Sequence, residues 1–389
     1  MNRRFKVLNI CSWYPNDFNP TLGNFVQKHA ESISIQNDVI TLAIFPDSST
    51  QKQRLVQNIS NNLEEIIIYY PKRIKGFYIF NLIRNFIAHV KAFNAGYALV
   101  KAKIGKPDIV HLNIVYPLGI WAVWLKWIYK IPYVVTENST GLHVGGDNVY
   151  PKHILKLCRF ILRNADFLLP VSENLKSNMK LLSPKSRFSI ISNVADSKLF
   201  APNKNKVQTD KKQFIHISTA NDRHKNISGM LRVLAELSKQ KTNFHFNFVS
   251  DGDYQYAIDL AKKLVLDEFI TFHSTKTTEE ISQMIQDSDA LVLFSNYENF
   301  PCVIAESFMC GIPVISTNVN GIPEHVHSDN GILVNRGDEA TLLTALIDFL
   351  NDKYDFRSEQ IRTYAFNHFS YEAVSTKFHE VYEKVINRQ

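Results

Sequence analysis

Two runs of alternating strand-like and helix-like segments, separated by one polar stretch, limit most strongly what this chain can fold into. In the first run, short apolar segments at Lys6–Cys11, Val39–Phe45, Asp108–Leu112, Tyr133–Thr136, Phe167–Pro170 and Phe188–Ile191 read as strands. Helical patterns fill the gaps at Phe25–Ile35, Phe77–Lys103, Leu118–Tyr129, Ile154–Asn164 and Glu173–Leu181. The alternation stops at residues 201–212 (APNKNKVQTDKK), whose Pro, Asn and Lys content reads as a linker. It resumes with strands at Phe214–Ser218, Phe244–Ser250, Ile270–Phe272, Ala290–Phe294, Pro313–Ser316 and Ile332–Val334. Strands alternating with helices build a parallel sheet covered on both faces. The expectation is an α/β protein with two doubly wound, Rossmann-like domains, residues 1–200 and 213–368, joined by the linker 201–212. Open sheets of this kind bind ligands outside the carboxyl ends of their strands, and two facing each other are expected to enclose a cleft.

Composition removes several other classes. Charged residues make up 21% and hydrophobic ones 45%, which is ordinary for a globular chain. The four cysteines, at 11, 158, 302 and 310, form no CxxC pair, which excludes a disulfide framework and a cysteine-based zinc site. The longest uncharged apolar stretch, Leu112–Leu125, falls short of the roughly 20 residues of a membrane helix. The basic start Arg3-Arg4-Phe5-Lys6 leads only into a strand-length segment, so no signal peptide and a cytoplasmic location are expected. Charge divides the chain. Residues 1–200 hold 25 Lys and Arg against 12 Asp and Glu, a balance of +13; the remainder holds 19 against 25, a balance of −6; together they return the net +7. The basic half suits an anionic surface or ligand. It carries no identifiable nucleic-acid recognition motif, so nucleic acid is not an expected partner. The aromatic-rich helix Phe77–Lys103, entered through Lys72, Arg73 and Lys75, resembles an interfacial helix. Most of it is expected in the core of the first domain, with the basic entry turn as the membrane contact.

The most informative stretch runs from Ser295 to Glu324. After the strand Ala290–Phe294, a short loop carries Glu298 and Asn299-Phe300-Pro301; Pro301 opens a helix through Cys302 and Val303, Glu306 lies about a turn inside it, and Gly311 ends it. Backbone N–H groups near Asn299–Val303 then form an anion site at the helix start. Two carboxylates beside an anion site make sense if each accepts hydrogen bonds from sugar hydroxyls while the N–H groups and a cation take phosphate, as in dinucleotide folds. Asp251-Gly252-Asp253 and Asp287-Ser288-Asp289 look like a metal-binding D-x-D but read as solvated turns.

Glu298 and Glu306, seven residues apart, resemble the E-x7-E region of retaining glycosyltransferases of the GT-B fold, the group 1 or family 4 transferases. Their usual Glu-Gly-Phe-Pro loop is Glu298-Asn299-Phe300-Pro301 here. Similar pieces span nearly the whole chain: Trp13-Tyr14-Pro15 with Gly23-Asn24-Phe25, Pro107–His111, Val171-Ser172-Glu173, Ile191–Asp196, Asn320–Glu324 and Gly331–Val334. The resemblance implies that the second domain binds a nucleotide-diphosphate sugar, with Glu306 on the ribose, Glu298 on the transferred sugar and Lys225 on the diphosphate. The family's arginine would fall near Ala220, and Arg223 is the nearby substitute. Asn138 stands where the family often has a histidine near the reacting sugar, with His143 close by, while His111 reads as a strand-end packing residue. Gly23, Asn24 and His143 fall on the acceptor side, and residues 369–389 resemble a terminal helix crossing back to the first domain.

The function implied is hexosyl or N-acetylhexosaminyl transfer, with retention, from a UDP- or GDP-sugar to an acceptor hydroxyl, without a metal or cofactor. The acceptor expected is a glycan or lipid-linked glycan of a bacterial surface polysaccharide, handled at the inner face of the membrane. Glu298, Lys225 and Asn138 are the expected catalytic residues. Two alternatives stand beside it: a sugar-nucleotide epimerase, which shares the GT-B architecture but whose Gly-Gly and acidic donor-loop pattern is not visible here, and a non-catalytic sugar-nucleotide binder.

Overall fold

The computed structural model describes residues 3–60, 62–74, 78–143, 149–207 and 209–387; Lys75 and Phe77 lie outside them. The chain divides into two compact units, one ending at Asn193 and resumed from Tyr371, the other Val194–Ser370.

The first unit contains β1 (Lys6–Cys11), α1 (Asn24–Gln36), β2 (Asp38–Asp47), β3 (Arg54–Ser60), β4 (Leu63–Pro71), α2 (Tyr78–Ile104), β5 (Ile109–Asn113), α3 (Gly119–Tyr129), β6 (Tyr133–Glu137), α4 (Lys152–Asn164), β7 (Phe167–Pro170) and α5 (Glu173–Leu182). Its sheet has the order β3-β4-β2-β1-β5-β6-β7. All pairs are parallel except β3 with β4. The order reverses at β1, whose neighbours are β2 and β5, so the carboxyl ends of β1 and β5 flank the switch point. Strands β1, β5 and β6 are buried almost throughout, as a sheet covered by helices requires.

The second unit contains β8 (Lys212–Ile217), the short α6 (Asp222–Lys225), α7 (Ile227–Ser238), β9 (Phe244–Val249), α8 (Gln255–Lys263), β10 (Ile270–His273), α9 (Thr278–Gln286), β11 (Ala290–Leu293), α10 (Cys302–Met309), β12 (Val314–Thr317), β13 (Gly331–Val334), α11 (Glu339–Leu350) and α12 (Ser358–Phe369). Six parallel strands run β10-β9-β8-β11-β12-β13, reversing at β8. Phe214, Phe246 and Phe248 stack along its core.

Three expectations need correction. Residues 201–212 are not a free linker. Lys206 Nζ meets Asp289 at 2.8 Å and the Ser288 carbonyl at 2.6 Å, and Asn203 donates to Asp287, so this stretch packs on the second unit. The boundary accordingly precedes residue 200: Ala195 N–H donates to the Phe369 carbonyl, and Arg362 donates to the carbonyls of Ser197 and Phe200. Second, β3 and β4 form an antiparallel pair that periodicity missed. β3 is a largely exposed polar edge strand, and it hides β4 from a search for strand–helix alternation. Phe188–Ile191 runs beside β7, with a bridge from Phe188 to Leu168 and the Ser189 and Ile191 N–H groups donating to the Leu168 and Pro170 carbonyls, without becoming a full strand. Third, the core reading of α2 holds only for its second half, where Ala92, Phe93, Gly96, Tyr97 and Val100 are buried. None of its first ten residues is buried.

The last helix, α13 (Tyr371–Ile386), packs against α1 in the first unit. Tyr382 of α13 reaches His111 of β5, whose Nδ1 lies 2.6 Å from the phenol oxygen and whose Nε2 lies 2.7 Å from Thr136 Oγ1. Burial pushes His111 down to about 3 and His29 of α1 down to about 4, so both are neutral in the folded chain. In the unfolded chain they titrate near 6.5. Acid therefore protonates the unfolded state first, and stability must fall as pH drops below about 6.5 toward the folded values. Melting curves recorded from about pH 7 down to about pH 5 are expected to show this loss, with a shallower slope in His111→Gln; an unchanged slope would contradict it.

Candidate active site

The site in the second unit grows out of its switch point. β8 ends at Ile217 and β11 at Leu293, neighbours in the sheet whose outgoing loops lie side by side. The β8 loop turns into α6 because Asn221 caps it, accepting from the His224 N–H, and Asn226 ends it in the left-handed region. Asp222 then accepts from the Ser228 N–H at 2.7 Å, fixing the start of α7. This double turn aims Lys225 at the β11 loop. Lys225 Nζ lies 2.5 Å from Glu298 Oε1, and Ser295 Oγ donates to the same oxygen at 2.9 Å. Thr317 Oγ1 holds the Ser295 carbonyl at 2.6 Å. The two loops are laced further: Asn296 N–H donates to the His224 carbonyl, and its side chain donates to the Arg223 carbonyl. Arg336, beyond β13, donates to the Asn296 side-chain oxygen.

Glu298 is only 8% exposed and Glu306 9%, so neither is a solvated surface charge nor a loop-tip residue. Glu298 tolerates burial because it has a cationic partner and a hydroxyl donor. Asn299 and Phe300 are buried beside it, and Phe300 stacks on Phe369 and packs at a tilt against His325, which anchors the loop ahead of α10. Pro301 caps α10 with no side-chain hydrogen bond, while the Ile304 N–H already returns to the Pro301 carbonyl. The amides of Cys302 and Val303 therefore carry the anion-attracting end of the helix. Glu306 lies on the same helix, one turn on. Arg223 is exposed, and Lys225 rather than Arg223 is the member of the turn that meets Glu298.

Under the end of β8, His216 is buried with Nδ1 2.8 Å from the Val292 carbonyl and Nε2 2.7 Å from Ser218 Oγ. Burial pushes it down to about 4, and the Lys225 charge acts in the same direction. A neutral imidazole thus links the two central strands below the site. Ser295, Thr317, Asn296, Arg336 and His216 escaped the sequence reading. Only Ser295 and Asn296 had a signal, three and two residues before Glu298 in the same loop. The D-x-D segments serve as turns and anchors: Asp253 accepts from the Gln255 N–H, and Asp289 pairs with Lys206 and the Gln213 N–H.

In the first unit the other sequence-marked residues also gather at strand carboxyl ends. Gly23 sits at φ +70° as the cap of α1, and a Cβ there would come within 2.8 Å of the Trp13 carbonyl carbon, so the Trp13-Tyr14 loop and the helix start need glycine. Asn24 is exposed at the first position of α1. Tyr14 is buried and donates to Glu65 of β4, which also accepts from Gln27. Glu137, fully buried at the end of β6, accepts from the N–H groups of Val115, Asn138 and Ser139 at 3.0, 3.0 and 2.7 Å. Burial raises its pKa while those three bonds oppose the rise. It fixes the loop that carries Asn138, whose side chain donates to Asn193 at 3.1 Å. His143 is buried at the end of the following turn.

Comparison with known proteins settles the family. The model "Glycosyl transferases group 1" matches residues 197–368 and the model "Glycosyltransferase Family 4" matches residues 39–199. The chain belongs to these glycosyltransferases. It is 25% identical over 293 residues to the N-acetyl-alpha-D-glucosaminyl L-malate synthase of Bacillus anthracis, covering 72% of this chain and 75% of that protein. Among solved structures it resembles the sucrose-phosphate synthase of Thermosynechococcus elongatus, with a TM-score of 0.80, 19% identity and coverage of 99% of this chain and 100% of that one. It also resembles Anabaena HepE in complex with UDP and glucose, with a TM-score of 0.71, 16% identity and coverage of 97% and 99%. These neighbours establish the GT-B fold. Asn299 sits inside the loop that Lys225 and Ser295 brace.

The Lys225–Glu298 pair is mostly buried, with side chains 18% and 10% exposed, so removing one partner strands the other. Lys225→Met is expected to cost about 1–3 kcal/mol of stability, and Glu298→Gln in the same chain to return part of it. Urea denaturation of the two single variants and the double variant measures the coupling. Strictly additive losses would show that the contact carries no energy.

Proposed function

We propose that this glycosyltransferase moves a hexosyl or N-acetylhexosaminyl group from a nucleotide-diphosphate sugar to a hydroxyl of a glycan or lipid-linked glycan, with retention at the anomeric carbon. The observation that carries the reading is the Lys225–Glu298 contact at the switch point, beside the start of α10. Its structural neighbours support the same reading, since HepE is known in complex with UDP and with UDP-glucose.

The leaving group gains negative charge as the bond from the anomeric carbon to the phosphate oxygen breaks. A cation and helix N–H groups aimed at that oxygen bind the transition state more tightly than the ground state. Lys225, Arg223 and the amides of Cys302 and Val303 take this role. An incoming diphosphate replaces the Glu298 carboxylate as partner of Lys225, which frees Glu298 to accept hydrogen bonds from the sugar. Glu306 takes the ribose. The acceptor oxygen bonds to the anomeric carbon on the face the phosphate leaves, and the acceptor proton passes to the departing phosphate oxygen. No step needs a protein nucleophile or a metal. In the first unit, the loops bearing Gly23, Asn24, Asn138 and His143 take the acceptor.

A thermal-shift panel of UDP-, GDP- and ADP-sugars identifies the donor, because a ligand of the native state raises its melting temperature. At least one is expected to stabilise the protein, and Lys225→Ala is expected to weaken that binding at least about tenfold while lowering turnover at least about a hundredfold. Turnover is expected to survive EDTA. Isomerised donor formed without acceptor would overturn transfer in favour of epimerisation, and donor binding without any turnover would leave a sugar-nucleotide binder.

A further inference from the structure

We propose that the first ten residues of α2 are an interfacial anchor that docks the first unit on an anionic lipid surface. Tyr78, Ile79, Phe80, Leu82, Ile83, Phe86 and Ile87 are between 47% and 76% exposed, and Ile74 just before them is 68% exposed. Scattered exposed apolar residues are normal, but seven in ten consecutive positions form a contiguous patch. At about 100° per residue these seven fill an arc of about 200°, while Asn81, Arg84 and Asn85 share the remaining side. That is a broad apolar face about 15 Å long with a narrow polar back. The second half of the same helix is packed in the core, so the projection is firmly held.

Charge selects the occupant. From residue 66 to residue 107 the sequence contains no Asp or Glu and eight Lys or Arg. Asn85 exchanges two hydrogen bonds with the Arg73 backbone, which pins the exposed Lys72 and Arg73 beside the apolar face. Arg84 lies over the Phe80 ring at 5.2 Å, and with Lys91 it lines a shallow pocket floored by Pro71, Ile87 and Ala88. Apolar and aromatic side chains rimmed by cations suit a bilayer interface, with rings at headgroup depth and cations on lipid phosphates. A symmetric pairing with a second copy would set Lys72, Arg73, Arg84 and Lys91 against the same four cations, which disfavours a dimer through this face.

Flotation of the full chain with vesicles of phosphatidylcholine alone, and of phosphatidylcholine with phosphatidylglycerol in equal parts, tests this. Binding is expected only to the anionic vesicles and to weaken with salt. Ile83→Glu with Phe86→Glu is expected to reduce it at least about tenfold, and Lys72→Gln with Arg73→Gln by a similar factor. All four positions are exposed, so the variants should keep the wild-type melting temperature. No binding, equal binding to both vesicles, variants that bind like wild type, or a concentration-dependent dimer abolished by Phe86→Glu would each overturn the proposal. Vesicle binding needs neither donor nor turnover, so its failure would leave the reading of sugar transfer standing.

Discussion

A parallel strand cannot be reached from its neighbour by a tight turn; the chain must cross back over the sheet, and a helix is the economical crossing. Every consequence of function in this protein follows from that constraint. Because each crossover returns to the same edge, all outgoing loops collect at the carboxyl ends of the strands. Because the winding reverses at β1 in one unit and at β8 in the other, the loops on either side of the reversal diverge and leave a crevice. Lys225 follows β8 and Glu298 follows β11, so two residues 73 apart in sequence become partners because their strands are neighbours in the sheet. The same logic in the first unit brings together Trp13, Gly23, Val115 and Asn138, held by Ser12 on the Ile114 carbonyl and by Glu137 on three amides.

The buried pair at the second switch point shows how such a crevice is kept ready. A single charge left without a partner in a site this enclosed is costly, and each member of the Lys225–Glu298 pair supplies the other's partner. The desolvation cost of the pair is partly offset by the Ser295 hydroxyl, which donates to the same carboxylate oxygen. On the proposed function the arrangement is also exchangeable: a diphosphate would offer Lys225 more negative charge than one carboxylate does, and a sugar would offer Glu298 hydroxyl donors in return. Neutral His216 below adds no competing charge, and its bonds to Val292 and Ser218 hold the strand ends at fixed spacing. Preorganisation here lies in the lacing of the two loops, chiefly through Asn296.

The fold was legible because hydrophobic periodicity reports burial, and strands such as β1, β2, β5, β6, β11 and β12 are buried almost throughout. It failed where burial is one-sided. β3 is an exposed edge strand whose Arg54, Gln57 and Asn58 look like loop, and α2 reads as one amphipathic helix although only Ala92–Val100 packs inside. The site was legible to the extent that its residues are local in sequence: Glu298, Pro301 and Glu306 announce themselves by spacing. Their supports do not, because Thr317, Arg336 and His216 come from three different strands or loops, and only the sheet order makes them neighbours. The supposed linker misled for a related reason. Lys206 and Asn203 are polar because their partners, Asp289 and Asp287, are acidic side chains more than eighty residues further on.

Net charge and local charge give different information in the two halves of this chain. Beyond residue 200 the balance is −6, which would repel a diphosphate at long range, yet the crevice presents Lys225 and a helix start. Screening removes most of the long-range term within about 8–10 Å at physiological salt, whereas a partly buried ammonium is screened far less. On the proposed function, anion recognition there is consequently a matter of which side chain the β8 turn aims inward. In the first half the excess of +13 is not spread evenly: the stretch between residues 66 and 107 contains eight cations and no acid, and Lys72, Arg73, Arg84 and Lys91 lie in or beside the exposed apolar half of α2. A uniform basic surface would attract anions of any shape. On the proposal of an interfacial anchor, these four cations beside an apolar face select a partner that is negatively charged at its boundary and oily beneath, a shape that distinguishes a lipid surface from a soluble polyanion.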